Sequence, residues 1–128
     1  MREKELRLAL VCYGGISLAV YMHGITKEIW HLTRASRAFH DGVAPQGASE
    51  AVYHRLLADI EAASGTRLRI LPDIIAGASA GGINGIFLAQ AIETGQSLEP
   101  LTALWLDNAD VDELLDPDAR PALSLLHI

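Results

Sequence analysis

Two short apolar runs, each ending at glycine and each followed by a helical pattern, predict an α/β fold with a mainly parallel sheet. Residues 68–76 contain the second strand, and residues 6–13 are a nearly continuous apolar segment of strand length. That is the pattern of central parallel strands covered on both faces. A right-handed crossover between two such strands brings the loops after both to the carboxyl edge of the sheet, where open α/β sheets bind ligands.

The first run stops at Gly14-Gly15. Leu18, Met22, Ile25, Ile29 and Leu32 then recur at the alternating spacing of one amphipathic helical face. Residues 39–48 carry Gly, Pro and polar side chains and read as a loop, with Asp41-Gly42 inside it. Ser49 is placed to cap the next helix, whose apolar stripe would be Val52, Leu56, Ile60 and Ala63 and whose stop would be Gly65. Pro72 is expected at the entry of the second strand, where a missing N–H is tolerated. A helix over residues 80–93 follows, with Gly95 as its stop, and Ser97 opens another that carries Leu101, Leu104 and Trp105. Asp110 and Glu113 have a capping-box-like spacing before a short turn through Leu115, and Pro117 and Pro121 break the pattern.

At 128 residues the chain is one domain's worth, and with 50% hydrophobic and 20% charged residues it is not a disordered segment. The formal net charge of −6 and the lack of any Lys/Arg cluster argue against nucleic acid as a partner. The single cysteine, Cys12, cannot form an internal disulfide and is expected in the core. A charged start followed by an apolar stretch imitates a signal peptide, but the Gly14-Gly15 break and the mixed charges of Arg2, Glu3, Lys4 and Glu5 count against one. No uninterrupted apolar stretch reaches the ~18–20 residues of a transmembrane helix.

The densest chemical signal is Ile74-Ile75-Ala76-Gly77-Ala78-Ser79-Ala80-Gly81-Gly82. An apolar strand running into G-x-S-x-G with a helix behind it is a nucleophile elbow, a sharp turn that exposes a serine Oγ. Gly77 and Gly81 would flank the strained turn, and Ala78 and Ala80 add little bulk beside it. Ser79 is therefore the candidate nucleophile. An acyl-transfer intermediate also needs donors for its oxyanion. The N–H groups of Gly14, Gly15 and Ile16, at the start of a helix, are the candidates, with that of Ala80 beside them. A plain strand-to-helix turn is the blander reading of Gly14-Gly15. Phosphate binding there lacks both the full G-x-G-x-x-G spacing and a P-loop lysine.

A serine hydroxyl needs a base. His23, His31 and His54 fall on helices at ordinary surface or boundary positions, His40 in a loop, and His127 next to the end. None makes a strong Ser-His-Asp case, and no pair has the spacing of a helical metal site. Asp107, Asp110, Asp112, Asp116 and Asp118 read as a solvated face. No metal or other cofactor is expected.

Two segments in this order carry a family resemblance. The first is Tyr13-Gly14-Gly15-Ile16-Ser17 followed by Tyr21-Met22-His23-Gly24-Ile25-Thr26-Lys27-Glu28; the second is Asp73 through Gly85. Together they resemble the N-terminal part of patatin-like phospholipases, bacterial lipid acyl hydrolases, over most of residues 6–95. The resemblance implies a three-layer α/β/α sandwich and a Ser-Asp dyad that works without histidine. By that resemblance Ser79 attacks the ester carbonyl of a phospholipid or other acyl lipid, an aspartate takes the proton, and the glycine loop (residues 13–18) holds the oxyanion. Cys12 and Tyr13 stand where the family commonly has Asp and a first Gly, and Ser17 and Leu18 replace Arg-Gly, so only the Gly-Gly core survives. The family's downstream Asp-Gly-Gly/Ala motif does not follow Ser79. The chain is thus expected to be a truncated piece of a catalytic domain that holds nucleophile and oxyanion loop and lacks its base. The alternative is a non-catalytic lipid-binding module on the same fold. The expected location is cytoplasmic, with transient visits to the inner membrane surface.

Overall fold

The computed structural model describes residues 1–15 and 18–108. Strand β1 (Arg2–Cys12) and strand β2 (Thr66–Gly77) pair in parallel, joined by helices α1 (Ala19–Asp41) and α2 (Ala48–Ser64). Helices α3 (Ala80–Thr94) and α4 (Glu99–Asn108) follow. The α/β class and the parallel pairing are as expected. Both strands start earlier than their apolar runs, because the charged ends, from Arg2↔Thr66 to Glu5↔Arg69, also pair.

Pro72 lies inside β2, not at its entry. It stands opposite Leu8, and the next pair is Ala9↔Ile74, so Asp73 bulges out of the ladder. A bulge interrupts the hydrogen bonding that a ring nitrogen cannot supply. The displaced Asp73 carboxylate accepts a hydrogen bond from Arg7 Nη1 at 3.1 Å.

Helix α1 continues through the first three residues of the expected loop, to Asp41, and ends on Gly42 in the left-handed conformation (φ 68°). His40 is therefore helical, 3.2 Å from the Leu68 carbonyl through Nε2, and Asp41-Gly42 is a helix terminus. Nor does Ser49 cap α2. The cap position is Gly47, and Ser49 Oγ donates to Glu28 Oε1 at 3.2 Å, linking α2 to α1. Gly65 and Gly95 stop α2 and α3 as expected, each with positive φ. The Ser97 hydroxyl accepts the Glu99 N–H at 3.1 Å and so caps α4. The features assigned to residues 110–121, and His127, lie outside the described residues.

The core joins Trp30 of α1, Leu88 and Ala91 of α3, and Leu98 and Leu101 at α4, over Leu10 and Ile75 of the sheet. On the opposite face Val11 and Ile74 remain 64% and 60% exposed, so the described residues cover the sheet there on one face only. The helical faces also differ from expectation. In α1 the buried positions include Ala19, His23, Thr26, Trp30 and Thr33, each one residue on from the expected Leu18, Met22, Ile25, Ile29 and Leu32. One residue is about 100° of rotation. The buried threonines are tolerated because Thr26 and Thr33 donate to the His23 and Ile29 carbonyls of their own helix, at 3.1 and 2.9 Å. Similarly, α2 buries Glu50 and Leu57 while Val52 and Leu56 are exposed. The displaced α1 stripe instead lines a groove of about 300 Å³ beside β1, where Leu18, Met22, Ile25 and Ile29 face Leu10 and Cys12.

Candidate active site

Ser79 has φ 55° and ψ −127°, the one positive φ outside glycine among the described residues. Such a conformation costs on the order of 1–3 kcal/mol and persists only where its surroundings enforce it. Here they do. The Ala78 N–H donates to the Cys12 carbonyl at 3.1 Å, fastening the turn to the end of β1. The Gly81 N–H returns to the Ala78 carbonyl at 3.0 Å, and that of Ile83 to the Ser79 carbonyl at 3.1 Å. A Cβ on Gly77 would stand 2.6 Å from the Gly81 carbonyl oxygen, and one on Gly81 would fall onto the Cys12 carbonyl. The turn closes only because those side chains are missing.

The parallel pairing brings the two loops together, as expected. A Cβ on Gly14 would lie 2.6 Å from Ser79 Cβ and 2.7 Å from the Ala78 carbonyl oxygen. Gly15 has φ 149°, a region that other residues rarely occupy. The N–H groups of Gly14 and Gly15 make no hydrogen bond among the described residues. Ala80 is buried and opens α3, so its N–H is one of the helix's unpaired donors. Ile16 lies outside the described residues. Chemically, an exposed hydroxyl beside free backbone N–H groups and a helix N-terminus can present an oxygen nucleophile and accept developing negative charge.

The histidines stand elsewhere, and His23 corrects the expected surface position. It is buried between α1 and α4, with Nε2 2.7 Å from Thr102 Oγ1. Burial, then the charge of Lys27, push its pKa below the ordinary histidine value. His31 lies between Glu50 Oε1 at 3.6 Å and Glu99 Oε1 at 3.9 Å. His54 meets the Phe39 ring edge-on, with centroids 5.5 Å apart. Of the five aspartates read as a solvated face, Asp107 alone is among the described residues, exposed on α4. No cluster of His, Cys, Asp and Glu suited to a metal occurs among the described residues, and no described helix is long and apolar enough to cross a membrane.

Sequence reasoning passed over Asn84. It is fully buried (0% exposed) in α3, its Nδ2 donates to the Ala19 carbonyl at 3.2 Å, and its Oδ1 accepts from Trp105 Nε1 at 2.9 Å. An amide flanked on both sides by apolar residues and glycines, from Ala80 to Ala89, was the available signal.

The chain is 37% identical to Uncharacterized membrane protein Rv3479 of Mycobacterium tuberculosis (strain ATCC 25618 / H37Rv) over 97% of its own residues. That match spans 12% of the relative's length. No solved structure matches significantly. The Patatin-like phospholipase family matches residues 10–126, a span that holds both the Gly14-Gly15 turn and the Ser79 turn, and the chain belongs to that family.

Proposed function

We propose that this chain supplies the nucleophile and oxyanion loop of a lipid acyl hydrolase of the phospholipase A or esterase type. The observation that carries the reading is the contact between Gly14 and Ser79, with the serine held at positive φ on the exposed carboxyl edge of the sheet. Ser79 Oγ attacks the ester carbonyl carbon and its proton passes to an aspartate. The carbonyl oxygen becomes an oxyanion within reach of the Gly14, Gly15 and Ile16 N–H groups. Collapse of the intermediate expels the alcohol, which takes the proton, and water then releases the fatty acid from Ser79 by the same route in reverse. The dyad aspartate is proposed to lie beyond residue 128. No described histidine pairs with Ser79, which favours aspartate over histidine as the base.

The groove beside β1 supports an acyl lipid as the substrate class. Its walls include Cys12 and Tyr13, the two residues that lead into Gly14, and Leu18, Met22 and Ile25 extend it along α1. Such a surface takes an acyl chain with its ester near the two loops. Access to that substrate is proposed to be peripheral, at a membrane surface. The test is labelling of the full-length protein by a fluorophosphonate, with loss of both labelling and esterase activity in Ser79→Ala. Unchanged hydrolysis by Ser79→Ala refutes the reading. Lipid binding without labelling or turnover assigns the chain to a non-catalytic binding module instead.

A further inference from the structure

Two loops that must act on one carbonyl are held in register by more than their own contact. We infer that Asn84 is a positioning residue: through its hydrogen bond to the Ala19 carbonyl it fixes the glycine loop relative to Ser79. This inference rests on the acyl-hydrolase reading above.

The argument begins with chain paths. Ser79 reaches Asn84 through the first turns of α3, where the Ile83 N–H donates to the Ser79 carbonyl. Gly15 is tied to the start of α1 by the Leu18 N–H, which donates to the Gly15 carbonyl at 3.1 Å one residue before Ala19. The Asn84–Ala19 hydrogen bond closes these two short paths into a ring that has the catalytic serine on one side and the proposed oxyanion donors on the other. Among the described residues it is the hydrogen bond that links the first turn of α1 to α3, and the van der Waals contact that would remain without it is not directional.

The surroundings of α3 explain why an amide serves here. The helix is set against the sheet by close approach: a Cβ on Gly85 would stand 3.0 Å from Ile75 Cγ2, and Gly81 lies on the Cys12 carbonyl. Those contacts fix α3 against β1 and β2; against α1 its later turns are held by Trp30 on Leu88 and Ala91 and by Arg37 Nη2 donating to the Ile92 carbonyl at 2.9 Å, and Asn84 makes the polar link nearest Ser79. A leucine would fill much the same volume in this buried site without hydrogen bonds to satisfy. An asparagine there is tolerated only with its partners in place, so it specifies one arrangement of α1, α3 and α4. The second bond, from Trp105, holds the side-chain amide in the orientation that presents Nδ2 to Ala19.

The experiment uses the full-length protein with Asn84→Leu, Asn84→Ala and Trp105→Phe, alongside Ser79→Ala. Each variant is assayed with a soluble acyl ester at a temperature well below its own unfolding transition, and active molecules are counted by fluorophosphonate titration. Asn84→Leu and Asn84→Ala are expected to lower kcat per folded molecule on the order of 10²-fold, because small misplacements of reacting groups carry such costs. KM should stay within about twofold, since ground-state binding is untouched. Trp105→Phe keeps the Ala19 bond and is expected to lose much less. A purely structural role would lower the folded fraction and leave kcat per folded molecule at the wild-type value, and that result overturns the inference. Equal losses in Trp105→Phe and Asn84→Leu overturn it too, by moving the effect to α4. If Ser79→Ala keeps its activity, the acyl-hydrolase reading fails and the positioning role falls with it. If Ser79→Ala is dead while the Asn84 variants keep wild-type kcat, the positioning role alone fails.

Discussion

At the Ser79 turn, Gly14, Gly77 and Gly81 let three stretches of backbone meet where added side chains would collide with neighbouring backbone or with Ser79 itself. Between α1, α2 and α4 the contacts are made the other way, by long polar side chains. Lys27 Nζ lies 2.7 Å from Glu99 Oε2, Arg34 Nε 2.9 Å from Glu50 Oε1, and His23 bonds to Thr102. The first region is built by omission and has almost no tolerance. The second is built by pairing, so losing one partner weakens it without a steric collision. The Gly14-Gly15 and Gly77–Gly81 segments fall in the first region because backbone that must approach backbone admits glycine and little else. The second region carries most of what was unexpected in the fold.

The largest expected effect tests the intolerance. Gly81→Ala drives a Cβ onto the Cys12 carbonyl and should destabilise by about 3 kcal/mol or more, as severe overpacking does. Gly24→Ala, at an exposed position of α1 with nothing within 4 Å, should instead stabilise by about 0.5–1 kcal/mol through helix propensity. Denaturant midpoints for the pair measure the contrast directly, and equal small changes would mean that the turn is not closed by backbone contact.

An intermediate effect is expected from Glu50. Its carboxylate is buried, with Oε1 on Arg34 and Oε2 accepting the Gln46 N–H at 3.0 Å. Glu50→Gln keeps the shape and loses the charge, and should cost about 1.5–3 kcal/mol, the worth of hydrogen bonds to a charged group. Urea melts report it. A change under a few tenths would place this cluster among the ordinary surface pairs.

The smallest effect concerns pH. His23 has a lowered pKa in the folded state, so between its ordinary value of 6.5 and that lowered value the unfolded chain binds more protons than the folded one. Stability should therefore fall as pH drops below about 6.5 and be fully present above it. Lys27 and Thr102 face the ring, and Glu99 opposes the shift. His23→Gln should flatten the dependence of Tm on pH in this window. A profile unchanged by the substitution would place the sensitivity at another group.

The sequence was most legible where a residue has one possible reason to be there. Gly65 and Gly95 end helices, and Ser79 with its flanking glycines makes a turn, because each position demands a backbone conformation or a closeness that the local chain already encodes. It was least legible in helical facing. The apolar stripe of α1 predicted the wrong buried face because burial followed the partners available: the Ser36 hydroxyl accepts the Ile70 N–H at 3.0 Å, and Thr26 and Thr33 satisfy themselves on their own helix. The true stripe carries polar residues, and the visible one lines the groove by β1. Pro72 was misplaced for a related reason, since a bulge is a property of two strands in register and β2 alone does not show it.

From local sequence alone came the strand–turn–helix around Ser79, the glycine turn after the first strand, and the expectation that both loops share one edge of a parallel sheet. These follow from steric rules that act over a few residues and from the handedness of the crossover. Only the tertiary structure decided that Gly14 touches Ser79, that His23 is buried and neutral-leaning against Thr102, and that Asn84 bridges Ala19 and Trp105. Those contacts join residues far apart in the chain, and their partners are chosen by packing, which local periodicity does not encode.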